Sequence, residues 1–367
     1  MPDNPDTSSA QTSRQISPDS GALWTEPGAW SVAPGVHRIP LPLPMDGLRA
    51  VNVYVMETDQ GLVLIDGGWA IPESRSLFES SLTSLGYSVA DIRRFLVTHM
   101  HRDHYTQAWV VGQETGADVS LGLGDKGSMD LLHDEKLDRD PNLTRLIAAG
   151  ARELAEGWRK DMPREDRPIN NYGMPGTWLD RDLVVDLGAR RLDAIATPGH
   201  TQGHYVFADT AGGLLFAGDH VLPTITPSIG FEPAWVENPL RDFLDSLAKV
   251  RALPDLMLLP AHGPVAPSSH ARVDELVAHH DERLAMCRDA VAGGARTAWD
   301  VAGVLPWTRH NRTRAELGIF DAVLAAFETL AHLELMALAG DLVRTDDADG
   351  AREYTMPVPA TGPAEAR

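Results

Sequence analysis

Cysteine is nearly missing from these 367 residues, with Cys287 standing alone. No internal disulfide can form, and a lone cysteine inside a helical pattern reads as a small buried hydrophobe rather than a nucleophile. That usage suggests a cytoplasmic setting. Lysine is almost as scarce, present only as Lys126, Lys136, Lys160 and Lys249. Arginine therefore carries most of the positive charge, a bias that codon usage alone could produce. Acidic residues outnumber basic ones, 52 against 32, for a net charge of −20. Such a surface repels phosphate backbones and argues against general nucleic-acid or anionic-membrane binding. No uninterrupted apolar run reaches the roughly 20 residues of a membrane span. The opening "MPDNPDTSSAQTSRQISPDSG" lacks the apolar stretch of a secretory signal, and residues 1–22 read as a disordered tail.

What remains has the length for more than one domain. Alternating apolar residues over 48–68 predict two strands joined by a short polar turn. Helical spacing follows over 73–86 with Gly86 as its stop, then a short buried-type strand over 92–98. A helix is predicted from about Thr106 and a strand over 117–122. Residues 124–180 are charged and helical, broken at Asp140-Pro141, and end in the loop-rich "NNYGMPGTW". They read as a helical insertion within one domain. Strand patterns resume at 182–187, 191–199, 203–210, 213–219 and 255–263, with a helix over 238–253 that Asn238 would cap. The chain turns mostly helical from about 269, and "LVRTDDADGAREYTM" suggests a hairpin through Asp349-Gly350. The resulting division is a mixed strand-and-helix domain over 23–268, a helical domain over 269–347, and a hairpin and tail over 348–367.

One stretch stands apart. "THMHRDH" places His99, His101, Asp103 and His104 within six positions. Burying three histidines and an aspartate so close together is costly unless something satisfies them. If the chain stays extended, His99, His101 and Asp103 share one face, and His104 turns back towards the same spot. Neutral imidazole and carboxylate are preferred ligands of divalent ions such as zinc. Four exceed the three protein ligands usual for one open catalytic ion, so the spacing suggests two adjacent ions. Further donors follow apolar runs and neighbour glycine: His200 in "TPGHTQGH", Asp219 in "LLFAGDH" and His262 in "LLPAHG". Strand ends are where open sheets collect function. The bland alternative for the first motif is a satisfied polar cluster at a strand–helix junction.

The series H-x-H-x-D-H, G-H-T, G-D and H-G, in that order over roughly 45–268, resembles the metallo-β-lactamase superfamily. That resemblance implies an α/β fold, an αββα sandwich with metals at one edge, beside which the insertion 124–180 would act as a lid or pocket wall. It implies that His99, His101 and His200 hold one ion, that Asp103, His104 and His262 hold a second, and that Asp219 bridges. Asp66 in "LIDGG" and His204 match supporting positions rather than ligands. The sequence departs from the family where Thr106-Gln107 follow Tyr105, since glycine is frequent there. Tyr105, Trp69, Trp158 and Trp235 could line a pocket or simply pack. His220 reads as structural, and His133, His270, His279, His280, His310 and His332 as solvated surface residues. The helical region after 269 resembles, more weakly, the winged-helix-like appendage of a subgroup that includes β-lactamase-like 2 ribonucleases; glyoxalase II-type hydrolases are also in the family.

The implied chemistry is metal-assisted hydrolysis. Two divalent ions, zinc first with iron or manganese as alternatives, can hold a bridging water and lower its pKa towards neutrality. The resulting hydroxide would attack a small ester, thioester or lactone, with Asp103 doubling as proton shuttle and Asp219 as bridging carboxylate. The rivals are a ribonuclease or phosphodiesterase on the same metals, and a mononuclear-iron persulfide dioxygenase. Residues 270–367 hold 10 arginines and no lysine against 16 acids. That sign is wrong for a phosphate-binding helix, so the appendage reads as a packing or homodimerisation element walling a small-molecule site.

Overall fold

A computed structural model describes residues 14–15, 24–44, 47–134, 140–161, 171–308 and 311–358. The first sheet runs in chain order through β1 (Arg14–Gln15), β2 (Trp30–Ala33), β3 (Val36–Pro42), β4 (Ala50–Thr58), β5 (Gly61–Ile65), β6 (Ile92–Leu96), β7 (Asp118–Gly122) and β8 (Thr177–Leu179). The second comprises β9 (Leu183–Asp186), β10 (Arg191–Ala196), β11 (Tyr205–Asp209), β12 (Leu214–Gly218) and β13 (Met257–Pro260), in reverse order across the sheet. Helices α1 (Pro72–Ser84) and α2 (Arg102–Thr115) cover the first sheet; α6 (Pro239–Ala252) and α7 (Ser269–Ala292) cover the second. The layers are therefore α, β, β, α, as expected.

Period-two alternation builds this stack. Leu62 and Leu64 of β5 enter the core under α1 and α2, while Val63 and Ile65 enter the core between the sheets. In β12, Leu214 and Phe216 face the inter-sheet core, and Leu215 and Ala217 face α6 and α7. Strands buried on both faces read as continuous apolar runs, which is why they were legible.

β2 and β3 were not expected. Pro40 and Pro42 in "RIPLPLP" argue against a strand interior. The pairing explains their tolerance: β2 pairs with β3 only between Val36 and Arg38, so both prolines lie beyond it, facing only β4. Of the tail, Arg14–Gln15 form a short parallel strand beside β2. The rest of 1–22, and 359–367, lie outside the described residues.

The segment 124–180 corrects an expectation. Its last residues form β8, a strand of the first sheet. Its helices α3 (Lys126–His133), α4 (Pro141–Ala148) and α5 (Arg152–Asp161) are no detachable lid. Leu146, Ala149, Ala155 and the fully buried Trp158 share one core with Cys287, Val291, Val323 and Leu330 of α7 and α9 (Ile319–Ala339), and with Val301 of α8 (Ala298–Val304). Deleting the segment would expose that core rather than only widen a pocket. The hairpin forms as expected from β14 (Val343–Asp346) and β15 (Arg352–Thr355). By length and composition α9 could cross a membrane, at a mean hydropathy of 1.5, but 67% of that window is buried inside the fold, as in a core helix.

His280 and His332 are buried, against expectation, and their rings meet between α7 and α9 with His280 Nδ1 3.1 Å from His332 Nε2. Burial holds His280 down at about 2 and His332 at about 3. Each is thus neutral in the fold but takes up a proton near pH 6.5 when unfolded. The stability from keeping them neutral is complete above pH 6.5 and is lost as pH falls below it, by about 1.4 kcal/mol per pH unit for each. Urea unfolding at pH 7 and pH 5.5 should show a smaller acid loss for His332→Leu than for the parent chain. His310 lies outside the described residues.

Candidate metal centre

Every donor singled out in the sequence arrives at one edge of the sandwich. β5 leads to Asp66, β6 to His99 and His101, β10 to His200, β12 to Asp219 and β13 to His262. One placement differs from expectation. Helix α2 starts at Arg102, with His101 as its N-cap, so Asp103 and His104 sit on its first turn rather than on an extended chain.

Two groups of donors result: His99, His101, His200 and Asp219, and beside them Asp103, His104 and His262. In the first, His99 Nε2 lies 2.9 Å from His101 Nδ1 and 3.2 Å from His200 Nε2, and the latter two are 3.1 Å apart. The other ring nitrogens settle where the protons are. His101 Nε2 donates to Phe231 O at 2.8 Å, His200 Nδ1 to Ser228 O at 2.7 Å, and His99 Nδ1 to Thr98 Oγ1 at 3.1 Å. Three bare lone pairs therefore converge. Burial, reinforced by neighbouring histidines, pushes His99 well below its usual range and His101 down to about 3.

The second group is built the same way. His104 Nδ1 donates to Asp66 Oδ2 at 2.9 Å and His262 Nδ1 to Ala50 O at 2.8 Å. Their Nε2 atoms are buried without a hydrogen-bond partner, as is Asp219 Oδ1. His262 Nε2 lies 3.3 Å from Asp103 and 3.4 Å from Asp219 Oδ1. Asp219 Oδ2 faces the first group, 3.5 Å from His200 Nε2. One carboxylate thus addresses both groups. Burial opposes charge on His104, yet Asp103, Asp66 and Asp219 outweigh it and hold its pKa up at about 9. Five inward lone pairs and two carboxylates, oriented by hydrogen bonds on their far sides, fit divalent cations and leave them no better partner.

Asp66 and His204 hydrogen-bond to the donors from behind. Asp66, in the left-handed region at φ 61°, accepts Thr98 N at 2.7 Å while holding His104. Such strain persists where the surroundings over-determine it. Asp66→Asn should cut metal affinity about 10- to 100-fold, measurable by chelator competition, because His104 loses its carboxylate. His204 accepts Asp219 N at 3.1 Å and so fixes the backbone of that carboxylate. His220 is buried, as a structural residue would be.

Tyr105 is corrected: it is fully buried, donating to Gly173 O, and lines no opening. Thr106 and Gln107 hold the turn after β5, through Ala70 N and Gly67 O. Trp69 is half-buried with the Arg102 guanidinium 4.3 Å over its ring, beside the donors on α2. Trp235 packs between Arg145 and Arg352, and Trp158 is core.

Other contributors were missed. Asn52 donates to Pro260 O and Gly263 O and Tyr54 to Pro260 O, clamping the loop that carries His262. Asp125 accepts Met100 N and Gly203 N, both at 2.8 Å. This pairing needs close backbone approach: a Cβ on Gly122 would lie 1.9 Å from Gly203 O. Asp125 carried a usable signal, an acid after glycine at a strand's end, the same one that marked Asp219.

The sequence profile of the metallo-β-lactamase superfamily matches residues 46–262. The chain belongs to that superfamily, as its αββα layers and His/Asp edge imply, and the fold implies divalent-metal binding. A crystal structure of a metallo-β-lactamase family protein from Thermus thermophilus is similar at a TM-score of 0.74 and 26% identity, covering 89% of this chain and 100% of that one. Among curated relatives, a β-lactamase-like protein 2 homolog of Caenorhabditis elegans is 26% identical over 237 residues, 64% of this chain and 63% of its own length. An atrochrysone carboxyl ACP thioesterase of Paecilomyces divaricatus is 25% identical over 241 residues, 65% of this chain and 59% of its own length. The chain thus spans about 60% of the length of these two relatives.

Proposed function

We propose that the protein is a hydrolase of small thioester, ester or lactone substrates that works with two divalent ions, zinc by preference. The observation that carries this reading is Asp219, whose two carboxylate oxygens face two separate groups of histidine and aspartate donors. Bound there, two ions would supply an activated water and Lewis acidity towards the substrate carbonyl. His99, His101 and His200 would hold one, and Asp103, His104 and His262 the other. Asp103 and His101 are the donors that reach solvent, so substrate would approach over them. Asp103, with a carboxylate at that opening, is placed to pass a proton to the leaving group. Trp69 and Arg102 stand beside it as rim residues.

The thioesterase among the relatives supports an acyl-thioester substrate. Phosphodiester cleavage is the weaker reading, because the net charge is −20 and the C-terminal region shares its sign. A one-iron dioxygenase is disfavoured by the complete second group of Asp103, His104 and His262. A small-molecule substrate and a cytoplasmic setting belong to the same reading, the latter supported by the single buried cysteine. A panel of acyl thioesters, lactones, β-lactams and phosphodiesters, offered to metal-loaded protein, tests it. Thioester, ester or lactone turnover is the expected outcome, and turnover of phosphodiesters alone would overturn it.

A further inference from the structure

Behind the first donor group lies a buried polar network that hydrolysis itself does not use. The loop 228–232 supplies both carbonyls that orient its histidines, Ser228 O for His200 and Phe231 O for His101. That loop has no strand or helix of its own. Arg145, on α4 and 4% exposed, grips it by donating to Gly230 O and to Glu232 O, the latter at 3.0 Å. The Glu232 side chain, 3% exposed, accepts Gln202 N at 2.9 Å, two residues past His200, and Ser128 Oγ of α3 at 2.7 Å. Gly230 N in turn donates to Gly199 O at 2.9 Å, next to His200. The Arg145 guanidinium lies 4.6 Å over Phe327 of α9, so the C-terminal helix buttresses the grip.

We infer that Arg145 and Glu232 are positioning residues: through the 228–232 loop they fix the direction of His101 and His200, and so set metal affinity at the first donor group and not at the second. The reason is one of alternatives. Imidazole rings turn about their side-chain bonds unless a far-side hydrogen bond holds them, and here both far-side acceptors are carbonyls of one irregular loop. The second group is anchored elsewhere, His104 by Asp66 and His262 by Ala50 O. The helices of 124–180 thus reach the centre through its ligands rather than over its mouth. The assignment of an affinity to each group rests on the two-ion reading above.

The test uses the full chain loaded with cobalt(II), whose visible absorption reports coordination geometry, together with chelator competition. Arg145→Met and Glu232→Gln should release one of two equivalents about 10- to 100-fold more readily, with an altered spectrum, while the other equivalent is held as in the parent. Arg145→Lys should restore part of the loss. His262→Ala should weaken the opposite equivalent. Parental affinity for both equivalents in Glu232→Gln, or equal weakening of both, would overturn the inference. If Arg145→Met does not fold, the near-isosteric Glu232→Gln decides. If the parent chain takes up a single ion, the two-ion reading fails, and the inference then stands or falls on whether Glu232→Gln loosens that ion.

Discussion

Asp219→Ala is expected to lower turnover by about 10³-fold or more, because even supporting residues of metal sites cost about 10- to 100-fold and this side chain faces both donor groups. The geometry leaves no substitute. Asp219 Oδ2 faces His200 and Oδ1 faces His262 and His104. The neighbouring Asp103 is already engaged at 3.3 Å from His262. Steady-state rates on the best substrate of the panel measure the loss, and metal analysis of the same preparation separates lost ions from lost chemistry. Little harm to the fold is expected from removing a carboxylate that Asp219 N, through His204, does not need. Retained full activity would sink the site assignment.

Stripping the metals is the second large effect. Without cations the only compensating charge is a proton. His262 is then held well above its usual range, burial opposing and Asp219 with Asp103 prevailing. His104 sits at about 9 for the same reason. At pH 7.5 His104 therefore carries a proton that incoming metal must displace, and the shift on His262 runs the same way, so uptake releases protons and affinity falls as pH falls. An ion present at a thousand times its dissociation constant adds about 4 kcal/mol, or roughly 5 °C in a chain of this size. Thermal unfolding with and without chelator should show at least that drop, with activity lost and then restored by added zinc.

The parts of this centre that could be read from sequence share a physical cause. His99, His101, His200, Asp219 and His262 each follow an apolar run, and ionisable groups just past such runs must be satisfied by something. The two-faced strands β5 and β12 were legible for the complementary reason, since both faces meet a core. What escaped depends on long-range contact. Arg145 looks like any arginine on a short helix until the loop 228–232 is laid against it. Asn52 acts across 208 residues of chain on Pro260 O. His280 sits in a charged helical stretch and is buried because α7 meets α9, whereas His332 lies in the apolar run of α9, whose composition already pointed to burial. The prolines of β3 hid a strand because their harmlessness depends on where β2 stops pairing.

The central claim, two ions held by two donor groups that share Asp219, is tested most directly by metal content measured against activity during reconstitution of the stripped chain. The account predicts about two zinc per chain at full thioester, ester or lactone hydrolysis, with Asp219→Ala failing to reach that content. Saturation at one iron per chain, with oxygen consumed and no hydrolysis, would contradict it.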